Sequence, residues 1–216
     1  MLNYSVSEEN YIKAIYRLDR GKAVSTNALA AELKTKPASV TDMMKKLKAK
    51  KLIHYEAYHG FQLTYEGRKL ALLIVRRHRL WEYFLAEKLK FTWDEVHDVA
   101  EELEHVGDKK LIDKLDEFLG FPRYDPHGDP IPDASGKIEA PRQICLTDLP
   151  LNRPAVVSHV SDQSSEMLEL LGHKKIAIGT QLEVKKKFSY DKSLEIKTGQ
   201  QTIAISELLA QNIFVK

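Results

Sequence analysis

The sequence predicts a mainly α chain with a small β domain at its C-terminal end, and three observations carry that prediction. Apolar residues recur at helical spacing as far as about Leu119, and short alternating strands take over beyond Pro141. Between them lies a stretch rich in Pro, Gly, Asp and Ser. Within the first ninety residues or so, the order helix, helix, tight turn, helix, hairpin is that of a winged helix-turn-helix.

With 216 residues the chain can hold one large domain or two to three small ones. A net charge of +2 creates no strong overall field, so an acidic partner requires a local gathering of basic residues. No apolar run reaches membrane-spanning length, and "MLNYSVSEEN" lacks the charged head and apolar core of a signal peptide. Cys145 alone excludes an internal disulfide framework, and "QICLTDL" reads as a small residue in or near a strand. A cytoplasmic protein with no membrane partner is the simplest expectation.

"YIKAIYRL" spaces Tyr11, Ile12, Ile15, Tyr16 and Leu18 as a helix does, with Ser7 and Asn10 as a weak start signal. "STNALAAEL" is a short second helix that Ser25 or Thr26 can cap. After "KTKP" comes "ASVTDMMKKLKAKKL", with Val40, Met43, Met44, Leu47 and Leu52 as its inner stripe; Pro37 suits its first turn. "LIHYEAYHGFQLT" is aromatic and β-branched around "HG" and reads as a hairpin. A long helix follows in "YEGRKLALLIVRRHRLWEYFLAEKL", then one from Thr92 to Gly107 and a shorter one ending at Gly120. "FPRYDPHGDPIPDASGKIEAP" is a loop or linker. Beyond it, "AVVSHV", "KIAIGTQLEVKKKF", "SLEIKT" and "QTIAIS" read as strands of a small β-barrel, interrupted by the helix "SSEMLELLG".

The turn and third helix carry Lys34, Lys36, Lys45, Lys46, Lys48, Lys50 and Lys51 against the single acid Asp42. This is the local basic patch that phosphate contacts need. Ser39 and Thr41 stand at the helix start, where recognition helices present side chains to base edges or phosphates. His54, Tyr58 and His59 on the wing are placed to lie along the DNA backbone. A lysine-rich face alone is most often only solvated. Its place, third in order and before an aromatic hairpin, favours DNA.

"HDVAEELEHVGD" raises a second possibility. On a helix, His97 at zero puts Glu101 near 40°, Glu104 near 340° and His105 near 80°, an arc of about 100°. One face then supplies two imidazoles and two carboxylates, a donor set suited to a divalent metal. Every amphipathic helix has a polar face, and the spacing alone does not separate the two readings. "RRHRLWEYF" adds His78 and Glu82 one turn apart, and helix bundles build metal sites from facing helices in this way.

The segments "ENYIKAIYRL", "ALAAELKTKPASVTDMMKKL", "GFQLTYEGRKLA", "RRHRLWEYFL", "VHDVAEELEHV", "LTDLP" and "IAIGTQLEV" carry a resemblance over essentially the whole chain. The chain resembles the diphtheria-toxin-repressor family of metal-dependent transcriptional repressors, in its three-domain form. "RHRL" followed by "EHV" after a winged helix is the most specific part. The resemblance implies a winged helix-turn-helix DNA-binding domain over 1–72 and a helical dimerisation and metal-binding domain over 73–140. It implies an SH3-like (ferrous-transport-A-like) β-barrel over 141–216.

It also implies ligands. His78, Glu82 and His97 fall at the ancillary metal site, and Glu101, Glu104 and His105 at the primary site. Asn10 holds a further primary-site position, where manganese-selective relatives carry Asp and iron-type relatives Met. Lys13 stands where manganese-selective relatives have a carboxylate, and as a cation it cannot bind a metal. Glu101 replaces an iron-type cysteine, and a carboxylate is the harder ligand, favouring manganese or ferrous iron. The expected cofactor is Mn²⁺, with Fe²⁺ a close second. Gln163 and Glu166 share the spacing of two iron-type barrel ligands in reverse order; they read equally well as polar residues opening a short helix. DNA contacts map to Lys36, Ala38, Ser39, Thr41 and Asp42, with Lys45 and Lys46 on phosphates.

The resulting expectation is a homodimeric repressor of metal-homeostasis genes, not an enzyme and without a small-molecule substrate. Its metal-loaded form binds palindromic double-stranded operator DNA, the metal joining Asn10 of the DNA-binding domain to His105. Leu72, Leu73, Trp81, Phe84 and Leu85 supply either part of the dimer interface or the monomer's own core. The alternative is a metal-independent winged-helix regulator. A metal hydrolase using the His/Glu cluster leaves the basic helix unused and has no evident oxyanion donor.

Overall fold

The computed structural model describes residues 4–19, 21–56, 60–139 and 142–216. The chain divides into two compact units. The first holds Met1–His78, Glu102–Leu115 and Pro132–Ile138; the second holds Arg79–Glu101, Asp116–Ile131 and Glu139–Lys216.

In the first unit, helices α1 (Val6–Leu18), α2 (Thr26–Glu32) and α3 (Pro37–Ala49) are followed by the hairpin β1 (Ile53–Glu56) and β2 (Gly60–Leu63). Helix α4 (Tyr65–Leu89) comes next and contributes its residues up to His78. Ser5, not Ser7, starts α1: its hydroxyl accepts from Glu8 N while the Glu8 carboxylate accepts from Ser5 N. Ser25 caps α2, and Pro37 sits in the first turn of α3 as expected. The core joins Ile12 and Ile15 of α1, Leu29 of α2, Val40, Met44 and Leu47 of α3, Phe61 of β2 and Ile74 of α4. A bridge from Val24 to Phe61 ties the chain before α2 to the hairpin. That is a winged helix. Tyr58 and His59 of the expected wing lie outside the described residues.

The helix expected from Thr92 to Gly107 is shorter at both ends. Thr92 bonds the Glu95 carboxylate within a turn, and α5 runs only from Val96 to Leu103. The Val106 N–H bonds Leu103 O, a tight turn that takes Glu104 and His105 out of the helix. The next helix, α6, spans Lys109–Phe118.

The second unit is built on a six-stranded antiparallel sheet. In order across the sheet, its strands are β3 (Ile144–Cys145), β8 (Ile213–Val215), β4 (Pro154–Val160), β5 (Gln181–Lys187), β6 (Leu194–Thr198) and β7 (Gln201–Ile205). Helices α7 (Ser165–His173) and α8 (Glu207–Gln211) pack on it, and Leu146, Val157, Leu168, Leu171, Ile176, Val184, Ile196 and Ile213 share the core. "KIAIG" is not the start of a strand. Lys175 takes a left-handed φ of 55° after α7, and Ile176 N bonds Leu171 O, so the segment is a turn that buries Ile176. Among the described residues no helix is long and apolar enough to cross a membrane.

Candidate metal centre and nucleic-acid interface

Glu104 lies at the centre of the first unit's polar cluster and is 0% exposed. Leaving the helix at Leu103 turns it inward, away from the wet face that an uninterrupted helix would give it. Lys13 Nζ donates to both of its oxygens, at 2.7 and 2.8 Å, and is itself only 7% exposed. His78 Nδ1 lies 2.8 Å from Glu104 Oε2. Beside this group, Glu9 accepts from Arg77 Nη2 at 2.7 Å and meets His105 Nδ1 at 2.8 Å. Burial pushes the Glu104 carboxyl up. The hydrogen bond from His78 and the Lys13 charge outweigh it and leave Glu104 below the ordinary carboxylate range. Asn10 Oδ1 is buried without a hydrogen-bond partner. As arranged, this set does not fit a divalent ion: an ammonium already spans the carboxylate that would bind it.

The second unit holds a different cluster. Glu82 on α4 is 1% exposed, and its Oε1 lies 3.3 Å from His97 Nδ1. His97 Nε2 in turn lies 3.6 Å from Glu101, one turn further along α5. The loop after α6 brings Asp125 and His127, both buried, so that one ligand atom each from Glu82, Asp125 and His127 lies within 4.8 Å of the others. Gly128, at φ +87°, lets this loop pass against β4, where a Cβ would meet Ser158 O at 1.9 Å. Val160 N–H bonds His127 O at 3.1 Å and pins the loop there.

The His127 tautomer follows from its partner. Nε2 lies 2.7 Å from the carbonyl oxygen of Trp93, which can only accept, so Nε2 carries the proton. Nδ1 is buried without a hydrogen-bond partner, 3.9 Å from Glu82 Oε1, and in the neutral ring it is a lone pair. With the ring neutral, two acceptors face each other across a gap that a cation can fill, and a ring oriented through its other nitrogen is how metal-binding histidines are held. Burial, with Glu82 and Asp129 nearby, pushes the Asp125 carboxyl well up despite Arg79. A cation there would relieve that crowding, so this set fits a divalent metal with N and O ligands.

Of the remaining expected ligands, Gln163 Nε2 donates to Asp129 at 2.6 Å and Glu166 is exposed in the first turn of α7. Asp129 also pairs with Arg79 at 2.9 Å and His159 at 3.6 Å. Asp125 and His127 were missed in the sequence because "DPHGDP" has the composition of a linker. Their signal was a His between two Asp, in a loop whose Gly permits close backbone approach.

On the DNA-binding side, Lys36, Ala38, Ser39, Thr41, Asp42, Lys45 and Lys46 are all exposed along the start and outer face of α3. Thr41 Oγ1 bonds Pro37 O, and Lys45 pairs loosely with Asp42, both 73% exposed. Lys50 is taken up by Glu8 at 2.6 Å, and Lys48 lies over the Tyr55 ring. Lys36 at the N-cap, with Lys45 and Lys46 on the outer face, places exposed cations along α3.

Fold and site define a class: a winged-helix DNA-binding protein that carries acid–histidine clusters suited to cations. Comparison with known proteins narrows this. Residues 4–61 match the iron-dependent repressor N-terminal DNA-binding domain, 64–133 the iron-dependent repressor metal-binding and dimerisation domain, and 144–216 the FeoA domain. The chain is 35% identical over 116 residues to the HTH-type transcriptional regulator MntR of Oceanobacillus iheyensis, covering 53% of this chain and 78% of that one. It is 28% identical over 188 residues to the diphtheria toxin repressor of Corynebacterium glutamicum, covering 82% of each. A manganese-dependent transcriptional repressor solved in complex with manganese superposes with a TM-score of 0.86 at 32% identity, over 96% of this chain and 98% of that one. The chain belongs to the iron-dependent repressor family, whose members are metal-dependent transcriptional regulators and not enzymes.

Proposed function

We propose that the chain is a homodimeric cytoplasmic repressor of metal-homeostasis genes that binds a palindromic operator when loaded with Mn²⁺, Fe²⁺ being the second choice. Three functional segments, 1–72, 73–140 and 141–216, bind DNA, dimerise with metal and form the barrel. The observation that carries the metal dependence is the buried, unpartnered Nδ1 of His127 facing Glu82, with Asp125 alongside. Glu82, Asp125 and His127 would hold the ion, with His97 and Glu101 next to them. Hard carboxylates beside neutral imidazoles suit Mn²⁺ or Fe²⁺. A bound divalent ion would add positive charge to a buried set in which Asp125 is crowded by neighbouring carboxylates.

The chain's own residues do the rest. Ser39 and Thr41 address base edges, and Lys36, Lys45 and Lys46 neutralise phosphates, with two α3 helices meeting successive major grooves. Support for a dimer surface comes from aromatic residues of the second unit: Trp81 packs edge-on to Phe84 at 5.8 Å, and Phe84 meets the 65%-exposed Phe118 at 6.5 Å. Metal acts by linkage, binding the DNA-competent arrangement more tightly than the other.

The test is operator affinity, on DNA selected by the Mn²⁺-loaded protein, with Mn²⁺ and with chelator. Wild type should lose affinity on chelation, and Glu82→Ala should bind equally weakly in both while keeping its circular-dichroism spectrum. Equal wild-type affinity in both conditions would establish the metal-independent regulator instead.

A further inference from the structure

The first unit's cluster contains cations of its own. Glu9 and Glu104 bring two negative charges; Lys13 and Arg77 bring two positive ones. His78 and His105 complete the group as imidazoles at 2.8 Å from a carboxylate oxygen. Asn10 adds an oxygen but no charge. Lys13 reaches across from α1 to the turn after α5 and engages both oxygens of a carboxylate that water does not touch. A divalent ion on Glu104 would have to expel a buried ammonium and leave a buried excess of positive charge.

We propose that Lys13 is a resident cation that replaces one metal ion. Its ammonium ties α1 to Glu104 permanently, so the first unit is closed whether or not metal is present. Metal responsiveness then resides in the Glu82, Asp125 and His127 set alone, with one ion per chain. This last clause rests on the function proposed above; the replacement by Lys13 does not. The ligand class excluded from the first unit is the divalent cation, and the substitution that admits it is a carboxylate at position 13.

The experiment is equilibrium dialysis of chelator-stripped full-length protein against Mn²⁺, with elemental analysis, alongside thermal unfolding in chelator. Wild type should bind one ion, Glu82→Ala none, Lys13→Arg one and Lys13→Glu two. In chelator, Lys13→Glu should melt well below wild type, because it sets two carboxylates against each other, and Mn²⁺ should restore most of the loss. If Lys13→Glu does not fold, Glu104→Gln in the wild-type background decides: one ion still bound supports the proposal. Two ions on wild type, falling to one in Glu104→Gln, would overturn it, as would Lys13→Glu with no gain in ions. No ion on wild type but one on Lys13→Glu would sink the proposed metal function while leaving the role of Lys13 standing.

Discussion

The two polar clusters are made of the same residue types, Glu and His on helical scaffolds, yet they are opposite electrostatic objects. Around Glu104, Lys13 pairs with Glu104 and Arg77 with Glu9, and Glu104 is held below its usual range. Near Glu82 lie three further carboxylates, Glu101, Asp125 and Asp129, with Arg79 paired to the last two, and Asp125 is pushed up. The difference teaches that His and Glu spacing does not define a metal site. The sign of the remaining charge does, because a buried cluster recruits whichever cation it lacks.

The largest way to break this comparison is Lys13→Met. It deletes the internal cation while keeping a long apolar stem, and leaves Glu104 buried opposite His78 and His105. Removing one partner of a buried pair costs about 3–5 kcal/mol. The unfolding free energy in urea, without metal, should drop by an amount in that range. A drop below about 1 kcal/mol would mean that the Lys13–Glu104 pair is worth no more than a surface pair, and the contrast between the clusters would fail.

A smaller effect of opposite sign sharpens it. Without metal, Glu82→Gln removes a charge that repels Asp125 while nearly preserving shape. Relief of like-charge repulsion in a buried site is worth on the order of 1 kcal/mol, so this variant should be more stable than wild type in chelator. In Mn²⁺ the order should reverse, since wild type gains binding energy that the variant has lost. Destabilisation by Glu82→Gln in both conditions would show that the second cluster, too, is balanced from within.

How much of this was legible follows from the kind of signal each residue carries. The winged helix was readable because Ile12, Ile15, Val40, Met44 and Leu47 repeat with the helical period and all point into one core. The lysines of α3 were readable as a patch because charge needs no fold to be counted. The fate of Glu104 was not. A uniform helical wheel places it on the wet arc, and only the turn after Leu103, set by tertiary packing, carries it inside. Asp125 and His127 were hidden for a related reason: loop composition says nothing about whether a loop is buried, and it is Gly128 against Ser158 that seats this one. Lys13 stood out in the sequence as a departure, a cation at a ligand position. That it fills the position needed the geometry.

The weakest effect tests whether the DNA-facing surface is independent of both clusters. Lys46 is exposed on α3, and no contact of its side chain links it to either acid cluster among those described. If it sits on a phosphate, Lys46→Ala should reduce the slope of log affinity against log salt by about 1 and weaken binding similarly on different sequences. Linkage then makes a sharper demand. The variant should lose the same factor in Mn²⁺ and in chelator, because it alters contact with DNA without altering the equilibrium that metal shifts. Titrations at several salt concentrations in both conditions check this. A loss seen only with Mn²⁺ would mean that Lys46 meets DNA in the metal-loaded arrangement alone, so that the face itself, and not only the second cluster, changes with the ion.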